Sequence, residues 1–172
     1  KGPREGFVEN VQVNMSLVRQ RIKSHNLRYE KLVVGKLSKT TVGIVYINGV
    51  GDKKVVDVLR DKINKICVDG IIDSSYIIKN ISDKKTSMFK QVGSTEKPDI
   101  FASKLLEGRV GIIVDGSPIA LTVPFILLED FQSSEDYYIN TYRANFSRIL
   151  RLIAVIISIM LPAFFVASEL FH

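Results

Sequence analysis

The stretch ILRLIAVIISIMLPAFFVASELF, Ile149 to Phe171, decides what kind of protein this chain is. No charged side chain interrupts it from Leu152 to Ser168. With its flanking turns it makes roughly 35 Å of helix at ~1.5 Å per residue, enough to cross the hydrocarbon layer of a bilayer. The alternative is burial in a water-soluble core, but a helix apolar on every face needs a far larger protein around it than 172 residues supply. We therefore read 149–172 as a transmembrane helix.

Working outward, Arg143, Arg148 and Arg151 stand on the near flank of this run, and only Glu169 and His172 on the far one. Arginines beside a first span favour the cytoplasmic side, so the domain before it is expected to face the cytoplasm. Pro162 falls mid-span, where its missing N–H and ring clash kink a helix. Neighbouring helices in a bundle would accommodate that kink, and a lone anchor would carry it passively. Arg143, Arg148, Arg151 and Pro162 are the candidates for anchoring and gating. Upstream, Ser133 and Asp136 have capping-box spacing and are followed by Tyr137, Tyr138, Tyr142 and Phe146. Such amphipathic rings suit a headgroup boundary, which predicts an interfacial amphipathic helix over 133–148.

Residues 1–132 are then a cytoplasmic α/β subdomain of ample size for its own core. The chain opens at Lys1 without a methionine, shows no apolar signal segment, and stops just past the span, so it is expected to be an excerpt of a longer protein. Cys67 is its one cysteine, which rules out an internal disulfide and a cysteine-clustered zinc site, and it is expected to be buried. His25 and His172 are too far apart in sequence for the short spacing of metal ligands.

The formal net charge of +6 is concentrated between Asn10 and Gly51, where Arg19, Arg21, Lys23, Arg28, Lys31, Lys36 and Lys39 face Glu30 alone. A basic patch of Arg19, Arg21, Lys23, Arg28 and Lys31 suits anionic headgroups or an acidic partner, although an ordinary solvated face explains the same residues. Nucleic acid fits poorly, because only Tyr29 interleaves an aromatic ring with these charges.

Val8, Val11, Met15, Val18 and Ile22 recur at steps of three and four, predicting a first amphipathic helix that ends at Ser24 to Asn26. Leu27 to Leu37 reads as a strand, and the β-branched run Thr41 to Ile47 as a strand buried on both faces. Asn48, Gly49 and Gly51 turn the chain into a helix from about Lys53 to Ile66, with Val55, Val58, Leu59, Ile63 and Ile66 inward. Strand, glycine turn and helix invite a phosphate-binding reading, but the third glycine of that fingerprint is missing, and a tight turn explains the glycines. Ser74 is expected to cap a short helix within Ile71 to Ile81, and 83–96 to form an exposed loop. A helix opens at Lys97 and Pro98 and closes at Gly108. Arg109 to Asp115 and Ile119 to Val123 form a hairpin about Asp115-Gly116-Ser117-Pro118, ended by Pro124. The expected fold is α/β (α+β), a mixed β-sheet covered by helices and followed by the transmembrane helix. The Thr41 and Arg109 strands are expected to be central and parallel through a crossover.

Glu129 with Asp130 and Glu135 with Asp136 are adjacent rather than convergent, and no histidine joins them, so helix-start charge and solvation explain them better than catalysis. Asp69 and Asp73 lack further oxygens to complete a cation site. No catalytic residue, cofactor or metal is assigned, and an enzyme is not expected.

The ordered segments GPREGF (2–7), N-x-S-L-x-R-x-R-I-K (14–23), VYI-x-G (45–49), DGIIDSSYI (69–77), EKPD (96–99), LLEGRV-x-I-x-VDGSP (105–118), FQSSEDYY (131–138) and RLIAVIISIMLP (151–162) closely resemble the A subunits of bacterial spore germinant receptors, the GerA family. The likeness spans essentially the whole chain. It implies a subunit in the inner membrane of the spore, with the soluble domain on the cytoplasmic (core) side. Its implied partners are membrane lipid, the receptor's B and C subunits and further copies of itself, and its implied work is nutrient-triggered germination through an oligomeric ion-conducting channel. Two soluble subdomains precede several spans in the family, so this chain corresponds to the second subdomain and the first span. Ser75 departs from the glycine usual at this place. A membrane-anchored, non-catalytic module that recruits partners through its basic face is the alternative, and nutrient binding in the soluble part is a third reading.

Overall fold

The computed structural model describes residues 4–71, 73–82, 92–124 and 141–170, with side chains of the last segment described at 149–162 and 165–166. Its elements in order are α1 (Val11–Arg21), β1 (Leu27–Val34), β2 (Thr40–Ile47), α2 (Lys53–Asn64), α3 (Ser74–Ile81), β3 (Gly93–Thr95), α4 (Pro98–Leu106), β4 (Val110–Val114), β5 (Ala120–Val123) and α5 (Thr141–Leu170). The chain falls into two compact units, Pro3–Ile126 and one that holds α5.

Within the first unit, local chemistry sets the element boundaries. The Asn10 carboxamide accepts from Gln12 N and Val13 N, and α1 starts there because its first donors would otherwise lack partners. Val11, Met15, Val18 and the following Ile22 are buried as the stripe predicts, while Val8 lies ahead of the helix and is exposed. β1 and β2 form an antiparallel hairpin from Leu27↔Ile47 to Val34↔Thr40, turned at Gly35 with φ of 93°. Val42 to Val45 are buried on both faces of the sheet.

The sheet order is β1-β2-β4-β5-β3, and every pairing is antiparallel. The two apolar strands are interior, as expected, but they are not parallel: β2 and β4 pair antiparallel, Val42↔Val114 to Val45↔Gly111. Between them the chain makes two helices on one face, the edge strand β3, and a helix on the other face, so no single crossover returns it in the same direction. A same-direction pair does occur elsewhere. β3 and β4 both run antiparallel to β5, which lies between them, and α4 joins them as a split β-α-β unit.

Both faces of the sheet are covered. α1 and α4 pack on one side through Val18, Phe101 and Leu105 against Val45 and Ile113. α2 and α3 pack on the other through Leu59, Ile63 and Ile77 against Ile44, Ile112 and Leu121. The close approach of α4 is set by Gly111, where any Cβ would run into the Phe101 ring, and Phe7 meets that ring edge-on at 5.5 Å. Phe101 is fully buried, and removing it from water stabilises the fold by about 2–3 kcal/mol.

Four local expectations need correction. α2 buries Val56, Leu59 and Ile63, whereas Val58 is 52% exposed, because the run Val55, Val56, Val58 and Leu59 offers two overlapping stripes and packing selects one. The cap of α3 is Asp73 rather than Ser74, since a carboxylate reaches two backbone donors at once. The expected loop 83–96 contains β3 at Gly93–Thr95, and 83–91 lies outside the described residues. Cys67 is exposed in the chain between α2 and α3, not buried.

In the second unit, α5 runs 30 residues with Pro162 inside and continues unbroken through the 148/149 position. Ile153, Ile156, Ile157, Ile159, Leu161 and Val166 are exposed on it. Among the described residues no helix is long and apolar enough to cross a membrane, the side chains of α5 being described continuously only over 149–162. The Ser133–Asp136 capping box, Tyr137 and Tyr138 lie outside the described residues, as do the side chains of Tyr142, Phe146, Arg143 and Arg148.

Candidate functional site

The β4–β5 turn gathers segments from both faces of the sheet. Asp115 carries the turn out of β4, and Gly116 takes φ of 83°, a conformation that favours glycine. On the α1 side, Asp115 Oδ1 accepts from Val11 N at 3.1 Å, and Gly116 N donates to Glu9 O at 2.7 Å. The turn therefore holds the start of α1. Asn14 tightens the same place: fully buried, it accepts from Val8 N at 2.8 Å and donates to Val8 O at 2.5 Å.

On the α3 side, Ser117 Oγ donates to Asp73 Oδ1 at 2.7 Å, and Ser75 Oγ donates to Asp73 Oδ2 at 2.8 Å. Ser74 N donates to the same carboxylate at 2.7 Å. Hydroxyls of Ser117 and Ser75 are the largest influences on Asp73 and hold its carboxyl at about 2, below the ordinary 3.8. Ser74 and Ser117 are buried, their hydroxyls 3.2 Å apart. One turn thus clasps the N-termini of two helices on opposite faces. It is a mechanical junction, built from hydrogen bonds that close within the unit. The sequence signal for it lies in DGIIDSSYI and VDGSP, which show a helix start at Ser74 and a turn at Asp115 to Pro118 but nothing that links the two, and Ser75 contributes a hydroxyl that glycine lacks.

The structure divides the basic patch. Arg19 and Lys23 are exposed at the end of α1, whereas Arg21 is bound to Glu5 at 2.7 Å and to Leu17 O at 3.0 Å. Arg28 and Lys31, both exposed, lie on opposite faces of the edge strand β1. Between them Glu30 is engaged by Arg60 through Nε at 2.9 Å and Nη2 at 3.0 Å, and by the Tyr46 hydroxyl at 2.7 Å. That hydrogen bond is the main reason the Tyr46 hydroxyl titrates above its usual range. Arg19 and Lys23 thus lie at the close of α1, while strand alternation sets Arg28 and Lys31 on opposite faces of β1.

Asp52 caps α2 by accepting from Lys54 N at 2.9 Å, so a carboxylate already sits at the helix start that follows Gly49 and Gly51 and opposes a phosphate there. Glu107 meets both Lys104 at 3.5 Å and Arg109 at 3.4 Å, two nearly buried cations near the turn from α4 into β4. Among the described residues no group of three or more His, Cys, Asp or Glu side chains is placed to hold a metal ion. Arg151 is half-buried and Pro162 exposed on α5.

Residues 1–172 match the family model described as Bacillus/Clostridium GerA spore germination protein. The chain is 42% identical over its full length to spore germination protein KA of Bacillus subtilis, of which it covers 32%. It is 40% identical to the uncharacterized membrane protein YfkQ of the same organism, again over the full chain and 34% of that protein. It therefore spans about a third of the length of these relatives. A crystal structure of the N-terminal domain of the A subunit of the Bacillus megaterium spore germinant receptor GerK3 is similar at a TM-score of 0.57 and 36% identity, covering 72% of this chain and 98% of that one. Matched to the family model from its first residue to its last, and to a relative at 42% identity, the chain belongs to the GerA family of spore germination proteins.

Proposed function

We propose that this chain is the membrane-proximal soluble part and first transmembrane helix of a germinant-receptor A subunit, whose work is to convert nutrient detection into germination. In this reading 149–172 spans the inner membrane of the spore and the Pro3–Ile126 unit faces the core. The subunit acts with B and C subunits and lines an oligomeric ion-conducting channel through its membrane region. The observation that carries the reading is the family match over residues 1–172, which includes the apolar C-terminal run as well as the folded unit. Further support comes from α5, a 30-residue helix whose described apolar side chains are exposed apart from the half-buried Val155. The relative YfkQ also bears the name of a membrane protein.

A coupling role suits what the first unit contains. Its β4–β5 turn ties helices on both faces to the sheet, and a rigid body joined to a membrane helix transmits a bias between two helix arrangements. The test is a gain of function in spores lacking every other germinant receptor. Adding the full-length gene with its B and C partners should confer potassium release and germination on at least one nutrient amino acid or sugar. Omission of the A gene, or deletion of the segment 149–172 from it, should abolish that response. Equal responses with and without the A gene would overturn the proposal.

A further inference from the structure

The end of the sheet from which the chain leaves towards α5 carries an arrangement that the germination reading does not use. β5 ends at Val123, opposite Val110 at the start of β4, and Arg109 Nη1 holds the Pro124 carbonyl there at 3.0 Å. The β2–α2 turn lies at the same end, because Asn48 N donates to Asn26 O at 2.8 Å beside the Leu27↔Ile47 pair. A Cβ added to Gly108, which follows α4, would meet Val50 O at 3.0 Å, so this turn packs on the turn from α4 into β4.

Two apolar side chains stand out into solvent from these adjoining turns, Val50 at 52% and Leu106 at 61% exposure. Lys23, Lys53 and Lys54, all exposed, flank the same end from the close of α1 and the start of α2. Two acids lie nearby, the exposed Asp52, which caps α2, and Glu107, which is 44% exposed and paired with Lys104 and Arg109, and the three lysines outnumber them. Apolar tips ringed by lysines are the chemistry that inserts shallowly between anionic headgroups while the ammonium groups meet the phosphates. We infer that this end of the unit, through Val50 and Leu106 with Lys23, Lys53 and Lys54, docks on an anionic lipid surface. The inference rests on the membrane reading of 149–172, which supplies the bilayer to which the chain continues from Pro124.

The chain contains no tryptophan, so single replacements report their own surroundings. The full 172-residue chain, carrying Val50→Trp, Leu106→Trp, Leu37→Trp or Ile156→Trp, is reconstituted in vesicles of phosphatidylcholine with or without phosphatidylglycerol, and quenching by brominated lipid is read. Leu37 is the control, because it lies at the opposite end of the sheet, in the β1–β2 turn, and is 82% exposed. Val50→Trp and Leu106→Trp should be blue-shifted and quenched in the anionic vesicles alone, and Leu37→Trp in neither. Replacing Lys23, Lys53 and Lys54 by alanine should lower the docked-to-undocked ratio by about fivefold per lysine.

Ile156→Trp separates the two readings by its quenching in both vesicle types. If it is quenched while Val50→Trp and Leu106→Trp are not, the docking inference falls and the membrane reading stands. If Ile156→Trp is itself unquenched, both fall. Equal quenching of Leu37→Trp, or quenching that survives loss of the three lysines, also overturns the assignment of this end to anionic lipid.

Discussion

The Ser117 hydroxyl donates to the Asp73 carboxylate at 2.7 Å across 44 positions of sequence, joining the β4–β5 turn to the start of α3. With Asp115 and Gly116 holding α1 on the other face, this contact makes the turn the point where both helical layers are fixed to the sheet.

Asp73 should therefore show itself in the acid limb of stability. Its folded carboxyl titrates at about 2, below the ordinary 3.8, because Ser117 and Ser75 hydroxyls favour the charged form. As pH falls below about 4 the unfolded state takes up the proton first. The contribution is complete above that pH and is lost as pH falls through about 2. Asp73→Asn should flatten the slope of unfolding free energy against pH in this window, measured by urea titration, and the Ser117→Ala and Ser75→Gly variants should each flatten it in part. An unchanged slope in Asp73→Asn would remove the network from the account.

Asn14→Ala should destabilise the protein by about 2 kcal/mol, since it removes the partner of both Val8 N–H and Val8 C=O at a position fully closed to solvent. Denaturant unfolding measures the loss. Added hydrogen exchange confined to the start of α1 would place it at the predicted site.

Gly111→Ala should cost about 1–3 kcal/mol, because the new methyl falls on the Phe101 ring where α4 crosses β4. Combining it with Phe101→Leu, which withdraws the colliding ring atoms, should cost less than the sum of the two single changes. Strict additivity in a double-mutant cycle would contradict the packing described.

Pro162→Ala addresses coupling to the membrane. Pro162 lies inside α5, where its missing N–H interrupts the helical ladder. In spores, the replacement should change the nutrient concentration needed for germination at unchanged receptor abundance. An unaltered response at that abundance would take Pro162 out of gating.

Much of this architecture is legible in the amino-acid sequence. α1, the two strands β1 and β2, α4 and the β4–β5 hairpin are marked by apolar patterning or by bounding Asn, Gly or Pro, whereas the pairing of β1 with β2 as a hairpin is not. β3 was not legible, because Gly93-Ser94-Thr95 has no apolar alternation and is a strand only by virtue of the edge of β5 that it pairs with. Strand direction was missed for a related reason: a buried apolar run looks the same in a parallel or an antiparallel sheet, and the intervening path through three helices and an edge strand decides it. The clasp escaped because Asp73, Ser74 and Ser117 belong to residue types that usually mark turns and caps, and nothing local links positions so far apart. The basic cluster was visible as composition, but strand alternation placed Arg28 and Lys31 on opposite faces of β1, and Glu5 engaged Arg21.

The central claim is that residues 149–172 live in lipid as part of a germinant-receptor subunit. Alkaline carbonate extraction of membranes from cells expressing the full 172-residue chain tests it most directly. The account predicts that the chain stays in the membrane pellet and that deletion of 149–172 releases it. Recovery of the intact chain in the carbonate supernatant would contradict the account.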